Sequence, residues 1–186
     1  MKDISAMLLE NPIIAAVTNE EGLAKAAASD CKMVFLLYSN ICNVGERIAE
    51  VKKAGKLPFV HLDLVEGLAS KEISLDFIKS MGAYGVISTK PAIIRAASEK
   101  GLATVHRFFL IDSNALETCR KFIDPEHTDM IEIMPAPMPK VVKRVVAFSP
   151  VPVIAGGLIR DKDDVISVLQ VGAMGVSSSN PDTWKM

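Results

Sequence analysis

The chain has 186 residues, a formal net charge of -1 and 49% apolar residues. This length allows one domain with a sizeable core, and the apolar content excludes a disordered chain. The near-zero charge provides no general attraction for nucleic acid, and no apolar run reaches the roughly 18 residues of a membrane span.

The cysteines and the N-terminus indicate a cytoplasmic protein. Cys31, Cys42 and Cys119 are scattered and form no CxxC pair, so we expect neither a zinc cluster nor a disulfide framework. Residues 1–5 lack the basic and apolar regions of a signal peptide. No group of potential ligands has metal-site spacing, so no metal is predicted.

Strands and helices alternate along the chain. Apolar runs indicate the strands, and capping residues such as Thr18, followed by Glu21, indicate helix starts. In chain order the predicted elements are a helix at 3–10, a strand at 13–17, a helix at 18–29, a strand at 33–38, a helix at 43–55, a strand at 57–65, a helix at 72–81, a strand at 84–88, a helix at 91–101, a strand at 102–111, a helix from 112–114, a strand at 130–134, a helix at 138–148, a strand at 153–155, a helix at 161–171 and a strand from 176.

This alternation predicts a single α/β domain over residues 1–186, a compact (β/α)₈ TIM-type barrel with short loops. An open doubly wound parallel sheet is the alternative. Too few residues follow the last strand for a full helix, so the opening helix, Trp184 and Met186 should fill the gap. Apolar surface left by this truncated final helix predicts a homo-oligomer.

The last two strands indicate a phosphate site. The run at 152–159 ends in Gly156 and Gly157, and the run at 175–181 ends in Ser177, Ser178 and Ser179. Asn180-Pro181 then has the pattern of a helix start. In (β/α)₈ barrels the loops after strands seven and eight frequently bind phosphate. The alternative is a tight turn followed by a polar tail.

Polar residues also follow the other strands, at the end of the barrel where active and binding residues lie. They are Asn40, His61, Asp63, Glu66, Ser88, Thr89, Lys90, Arg107, Asp112 and Glu132. Strand alternation would direct His61 and Asp63 into the same barrel mouth. Glu132, between two isoleucines, needs a partner such as Lys90 or Arg107. An Asp63–Arg107 ion pair and a merely solvated Lys90 are the structural alternatives.

Six segments in register resemble the bacterial glycerol-uptake operon antiterminator regulatory proteins. The segments are His61–Leu68, Gly85–Lys90, Arg107–Ser113, Glu132–Pro135, Ile154–Ile159 and Gly175–Ser179. The resemblance implies a non-catalytic barrel without a cofactor. It also implies an effector, glycerol 3-phosphate, and binding to leader messenger RNA that prevents early termination of transcription.

From barrel geometry and hydroxyl chemistry we assign phosphate to Gly156, Gly157, Ser178 and Ser179, with Lys90 as a charge partner. The glycerol hydroxyls go to Asp63 and Glu132, and His61, Glu66 and Arg107 are further polar contacts. Two positions depart from the family pattern, because Ala136-Pro137 follows Pro135 and His106 stands where glutamine is common.

RNA binding has weaker support in the residues themselves. The basic candidates are Lys140, Lys143 and Arg144 on one predicted helix and Lys52, Lys53 and Lys56 on another. Either group could be an ordinary solvated helix face. Two other functions stay open: an isomerase or lyase acting on a small phosphorylated substrate, and a phosphate-binding barrel without RNA binding.

Overall fold

A computed structural model of the chain describes residues 4–185 as a closed barrel of parallel strands surrounded by helices. The strands are β1 (Ile13–Val17), β2 (Met33–Leu36), β3 (Ser39–Asn40), β4 (Leu57–His61), β5 (Val65–Glu66), β6 (Gly85–Ser88), β7 (Ala103–Phe109), β8 (Met130–Met134), β9 (Val153–Gly156) and β10 (Gly175–Ser178). The helices are α1 (Ile4–Glu10), α2 (Glu20–Ala27), α3 (Val44–Lys53), α4 (Glu72–Ser80), α5 (Pro91–Glu99), α6 (Ser113–Phe122), α7 (Pro139–Phe148) and α8 (Lys162–Gln170).

Pairing of the first and last strands closes the barrel. β1 pairs in parallel with both β2 and β10, and the strand order is β1-β10-β9-β8-β7-β6-β4-β2. The predicted (β/α)₈ barrel is therefore confirmed, and the open sheet is excluded. The remaining strands, β3 and β5, form a separate two-stranded sheet that the sequence did not indicate.

Alternate residues along each strand face either the barrel interior or the helices. The interior cluster contains Phe35, Phe59, Val105, Met130 and Ile154, whereas neighbouring strand residues pack under the helices. Two residues after Phe59, Val105 and Met130 the side chains are polar: His61, Arg107 and Glu132. This change places a polar layer at the carboxyl ends of the strands.

The opening helix closes the amino-terminal end of the barrel. Ile4 and Leu8 join the interior cluster, and a Cβ on Gly175 would lie 2.9 Å from Leu8 Cδ2. The expectation that this helix fills the gap after the last strand was wrong, because its apolar side covers the barrel core instead.

A 3₁₀ helix, Pro181–Lys185, fills that gap. Trp184 is only 2% exposed and packs against the outer core, while Met186 lies outside the described residues. The apolar surface that suggested a homo-oligomer is thus covered here. The oligomer prediction now depends on exposed side chains elsewhere, such as Ile73 and Ile111.

Three local predictions need correction. The strand predicted at 57–65 ends at His61 and is followed by a 3₁₀ turn at Leu62–Leu64, so Asp63 does not alternate with His61. The strand predicted at 33–38 ends at Leu36. Asn19, not Thr18, caps α2. Its backbone is extended, and its side-chain oxygen accepts a hydrogen bond from Gly22 N at 2.8 Å. No helix within residues 4–185 is long and apolar enough to cross a membrane.

Candidate functional site

A small cavity lies at the barrel mouth, at the carboxyl ends of the strands. Its volume is about 230 Å³. The polar and glycine residues that line it are Thr18, Arg107, Glu132, Gly157, Ser177, Ser178 and Ser179. Because drug-sized ligands occupy roughly 300–1,000 Å³, this volume suits a smaller molecule.

A buried ion pair forms one wall of the cavity. Arg107 on β7 and Glu132 on β8 are register partners, and Arg107 Nε lies 2.6 Å from Glu132 Oε2. Their side chains are only 5% and 1% exposed. Arg107 is therefore the partner that Glu132 required. Within residues 4–185 the Arg107 guanidinium donates a hydrogen bond only through Nε. Its Nη groups can therefore donate to a ligand.

Ser177 completes the buried network. Its Oγ donates to the second Glu132 oxygen, Oε1. Ser177 lies beside Gly156 in the pairing of β10 with β9, so both residues face the same level of the barrel. The carboxylate of Glu132 thus receives hydrogen bonds from two sides, which satisfies a buried charge.

Two glycines at the end of β9 leave space for neighbouring side chains, and Gly156 leaves it for this network. A Cβ on Gly156 would lie 2.6 Å from Glu132 Oε1. Gly157 has φ +76° and its Cβ would lie 2.6 Å from Met134 Cε. Any side chain at Gly156 would displace the Glu132 carboxylate, and one at Gly157 would also strain the backbone.

The serines after β10 connect the cavity to the C-terminal turn. Ser178 Oγ accepts from Asn180 N at 3.1 Å, and the Ser178 carbonyl accepts from Trp184 Nε1 at 2.8 Å. Asn180 Nδ2 donates to the Arg160 carbonyl at 2.7 Å. These bonds hold Ser178 and Ser179 in place beside Gly157.

His61 is buried in the barrel, close to the charge of Arg107. Burial, and then the Arg107 charge, lower the pKa of His61 to about 4, although Asp63 acts in the opposite direction. Its Nδ1 has no hydrogen-bond partner among residues 4–185. His61 is therefore neutral near pH 7, and it is not among the residues that line the mouth cavity.

Asp63 organises the turn after β6 rather than the cavity. Its carboxylate accepts from Thr89 N at 2.8 Å, from Ser70 Oγ at 2.9 Å and from Ser88 Oγ. Burial alone would raise the pKa of Asp63, but these hydrogen bonds hold it below its usual value. The Asp63–Arg107 ion pair is not formed.

Lys90 lies next to this turn. Its Nζ is 3.6 Å from Asp63 Oδ1, and its side chain is 54% exposed. Lys90 does not line the mouth cavity, and its role as a charge partner of phosphate stays a prediction. Glu66 is exposed on the separate sheet formed by β3 and β5, also away from the cavity lining.

The basic residues proposed for RNA differ in accessibility. Lys140, Lys143 and Arg144 are all exposed on α7. Lys56 in the second group is only 9% exposed, and its Nζ donates to the Cys31 carbonyl at 2.8 Å. Lys56 is therefore a structural residue, because its charge is held against backbone oxygens.

Sequence reasoning missed a larger cavity of about 550 Å³ between α5 and the end of α6. It is lined by Arg95, His106, Lys121, Phe122, Thr128 and neighbouring residues. These residues come from two helices, a strand and a loop. No motif joins them in the sequence, so only the folded chain brings them together.

Three side chains beside this cavity carry atoms of the kind that bind metal ions. Asp124, Glu126 and His127 place such atoms within 4.8 Å of one another. The Asp124 carboxylate already pairs with Arg95 Nη2 at 3.3 Å and with His127 Nδ1 at 2.9 Å. These contacts account for the cluster without a metal ion.

Comparison with known proteins identifies the family. Residues 13–184 match the family described as glycerol-3-phosphate responsive antiterminator. The chain is 37% identical to the uncharacterised protein YgcP of Escherichia coli K12 over 181 residues, which is 97% of this chain and 95% of that protein.

Solved structures agree with this match. A glycerol uptake operon antiterminator regulatory protein from Listeria monocytogenes is 30% identical with a TM-score of 0.88, over 94% of this chain and 95% of that one. An antiterminator-related protein from Thermotoga maritima is 32% identical with a TM-score of 0.83, over 94% and 98% of the two chains. A deoxyribose phosphate aldolase from Aeropyrum pernix, 15% identical with a TM-score of 0.73, covering 98% of this chain and 95% of its own, shares the fold alone. The chain belongs to the glycerol-3-phosphate responsive antiterminator family.

Proposed function

We propose that this protein binds glycerol 3-phosphate at the barrel mouth and, in that state, binds leader messenger RNA and prevents early termination of transcription of glycerol-metabolism genes. Membership of the family supports the effector. The observation that carries the proposal is the mouth cavity, whose small volume and polar lining suit a three-carbon phosphate ester.

The phosphate group would lie between the turns that follow β9 and β10. Gly157 permits close approach of the backbone, and Ser178 and Ser179 supply hydroxyl groups. Arg107 contributes positive charge from inside the cavity, and Lys90 could approach from the rim. Gly156 maintains the space for the buried network underneath.

The glycerol hydroxyls would face the opposite wall. Glu132 lines the cavity and can accept hydrogen bonds beyond those from Arg107 and Ser177. Asp63 stays a proposed contact, although its four neighbouring donors suggest that it mainly orients the turn bearing Lys90.

The mouth offers poor acid–base chemistry. A Schiff-base lysine is normally desolvated, which lowers its pKa, yet the Lys90 side chain is 54% exposed. Glu132 is held in an ion pair and His61 has a pKa of about 4. These observations favour a regulatory ligand site over the alternative, an isomerase or lyase acting on a small phosphorylated substrate.

Calorimetry with glycerol 3-phosphate tests the effector site, with glycerol and inorganic phosphate as controls. We expect the ester to bind much more tightly than either control and Gly157→Asp to abolish binding, since a carboxylate repels phosphate. Turnover of a small panel of phosphosugars, with no binding of glycerol 3-phosphate, would instead support the enzyme.

The RNA activity is tested separately, by measuring how much of a structured leader RNA the protein retains with and without glycerol 3-phosphate. Regulation requires the effector to favour the RNA-binding state through higher affinity for it. We also propose a homo-oligomer in the cytoplasm. A monomer by light scattering at micromolar concentration would contradict the oligomer.

A further inference from the structure

A second cavity lies on the side of the barrel, away from the proposed effector site. α4 packs against α5 and α6 packs against α7, but a cleft of about 550 Å³ separates α5 from the end of α6. Its volume falls within the range of typical ligand pockets, roughly 300–1,000 Å³, and can hold a nucleotide.

A buried hydroxyl in this cleft lacks a partner. Thr128 lines the cleft and is 3% exposed, and its Oγ1 makes no hydrogen bond within residues 4–185. A buried hydroxyl without a partner is costly, and a ligand that supplies one removes this cost. The edge of a nucleobase can both donate and accept such a bond.

The cleft also has an exposed aromatic side chain with cations beside it. Phe122 is 44% exposed, and Lys121 Nζ lies 5.6 Å from the centre of its ring. Arg95 on the opposite wall is exposed but pairs with Asp124, which also lines the cleft, at 3.3 Å. An aromatic ring on which a base can stack, flanked by cations for phosphate, is the usual arrangement for binding single-stranded nucleic acid.

Positive charge continues from the cleft across two helices. α6 and α7 carry Arg120, Lys121, Lys140, Lys143 and Arg144. The only carboxylate within these two helices is Glu117. The local charge therefore differs from the near-neutral whole and can attract a phosphate backbone.

We propose that the cleft between α5 and α6 holds an unpaired base of leader RNA and that the α6–α7 surface holds the adjoining phosphates. This proposal depends on the RNA binding proposed above. The base stacks on Phe122 and reaches Thr128, while Lys121 contacts the adjoining phosphate.

The turn after β6 lies beside this cleft and is held by Asp63, which is a proposed contact of the effector. Thr89 donates to Asp63 through both its N, at 2.8 Å, and its Oγ1, at 3.1 Å. His106, which lines the cleft, lies opposite Ser88, the residue before Thr89, in the pairing of β6 with β7. α5 begins directly afterwards at Pro91 and forms one wall of the cleft. A ligand that moves this turn would therefore reshape the cleft.

Crosslinking on the full-length protein tests the location. The probe is a labelled pool of RNA hairpins with randomised loops, retained on the protein at saturating glycerol 3-phosphate. We expect ultraviolet crosslinks to map to residues 121–128. Crosslinks confined to the barrel mouth or to α3 would overturn the proposal.

Two variants, each with a control, measure the contribution of the cleft. Phe122→Ala should weaken RNA retention about tenfold, as expected for one lost stacking contact, whereas Leu9→Ala, an exposed apolar side chain on α1, should not. Lys121→Ala should lower the slope of log affinity against log salt by about 1, and Lys53→Ala on α3 should not. If both cleft variants retained RNA as well as the wild type does, the cleft would not be the RNA site, and the proposed RNA function would be unaffected.

Further measurements separate the possible failures. No retention of RNA by the wild type with bound effector would overturn both the RNA function and the cleft. Calorimetric binding of free mononucleotides without RNA retention would assign the cleft to a metabolite instead. For the coupling, His106→Leu should reduce the ratio of RNA affinities with and without effector, and His106→Gln, which keeps a donor, should restore it. An unchanged ratio in His106→Leu would overturn the coupling.

Discussion

Arg107 and Glu132 lie opposite each other on neighbouring strands, with Arg107 Nε 2.6 Å from Glu132 Oε2. Both side chains are almost completely buried, yet they line the cavity at the barrel mouth. The two charges cancel locally, so the cavity offers donors and acceptors without a strong net field. That arrangement suits a ligand with both a phosphate and hydroxyl groups.

The buried pair should be important for stability as well as for ligand binding. Glu132→Ala leaves the Arg107 cation unpaired, and we expect a loss of about 3–5 kcal/mol in the free energy of unfolding, measured in urea. The double variant Arg107→Met with Glu132→Leu should regain much of this stability, because it removes both charges. Neither protein should bind glycerol 3-phosphate. A stable single variant with unchanged affinity would contradict the proposed role of the pair.

Substitution of Gly157 separates backbone strain from the effect on the cavity. Gly157 and Gly55 have φ of +76° and +75°, but a Cβ has no neighbour within 4 Å at Gly55 and meets Met134 at Gly157. Replacing either by alanine should cost about 1–2 kcal/mol through left-handed backbone strain. Only Gly157→Ala should also lose affinity for glycerol 3-phosphate. Equal affinities in calorimetry would remove Gly157 from the site.

Trp184, the only tryptophan of the chain, should report ligand binding. Its Nε1 donates to the Ser178 carbonyl, and Ser178 lines the cavity. A ligand that contacts Ser178 should therefore shift the emission or intensity of Trp184, with the same midpoint as the calorimetric titration. Inorganic phosphate at equal concentration provides the control. A complete absence of change at saturation would argue that the ligand does not contact Ser178.

Acid should destabilise the protein through two histidines. Burial lowers the pKa of both His61 and His106 to about 4, with Arg107 adding to the effect at His61. Unfolded histidine has a pKa near 6.5, so between these values the unfolded chain binds more protons. Stability is therefore full above about pH 6.5 and falls as the pH approaches 4.

Urea unfolding across this pH range measures the effect. In His106→Gln, which cannot titrate there, the decline should be shallower than in the wild type. An identical pH dependence in His106→Gln and wild type would contradict a neutral buried His106.

Much of the site could be predicted because barrel geometry is regular. Once eight strands alternate with helices, the polar residues at their ends must gather at one mouth. Glu132 between two isoleucines required a buried partner, and Arg107 meets that requirement. The glycines and serines after β9 and β10 line the cavity or lie directly beneath it.

Other features depended on where distant segments meet. Asp63 lies in a 3₁₀ turn and not on a strand, so its contacts depend on Ser70 and Thr89 rather than on alternation. Lys56 lies three to four residues after Lys52 and Lys53 in the sequence, which is typical of an exposed helix face. In the structure its ammonium group is instead bound by the backbone oxygens of Ser29 and Cys31. Local periodicity contains no information about such long-range partners.

The sequence by itself therefore predicted the alternating pattern, a barrel with an open sheet as the alternative, and polar residues at the strand ends, because these follow from local hydrophobic periodicity and chain connectivity. Only the tertiary structure decided that the sheet closes, that α1 covers the barrel end and that α5 and α6 separate around Thr128. The physical reason is that packing between helices depends on the shapes of side chains that are distant in the chain, and a linear pattern does not specify those contacts.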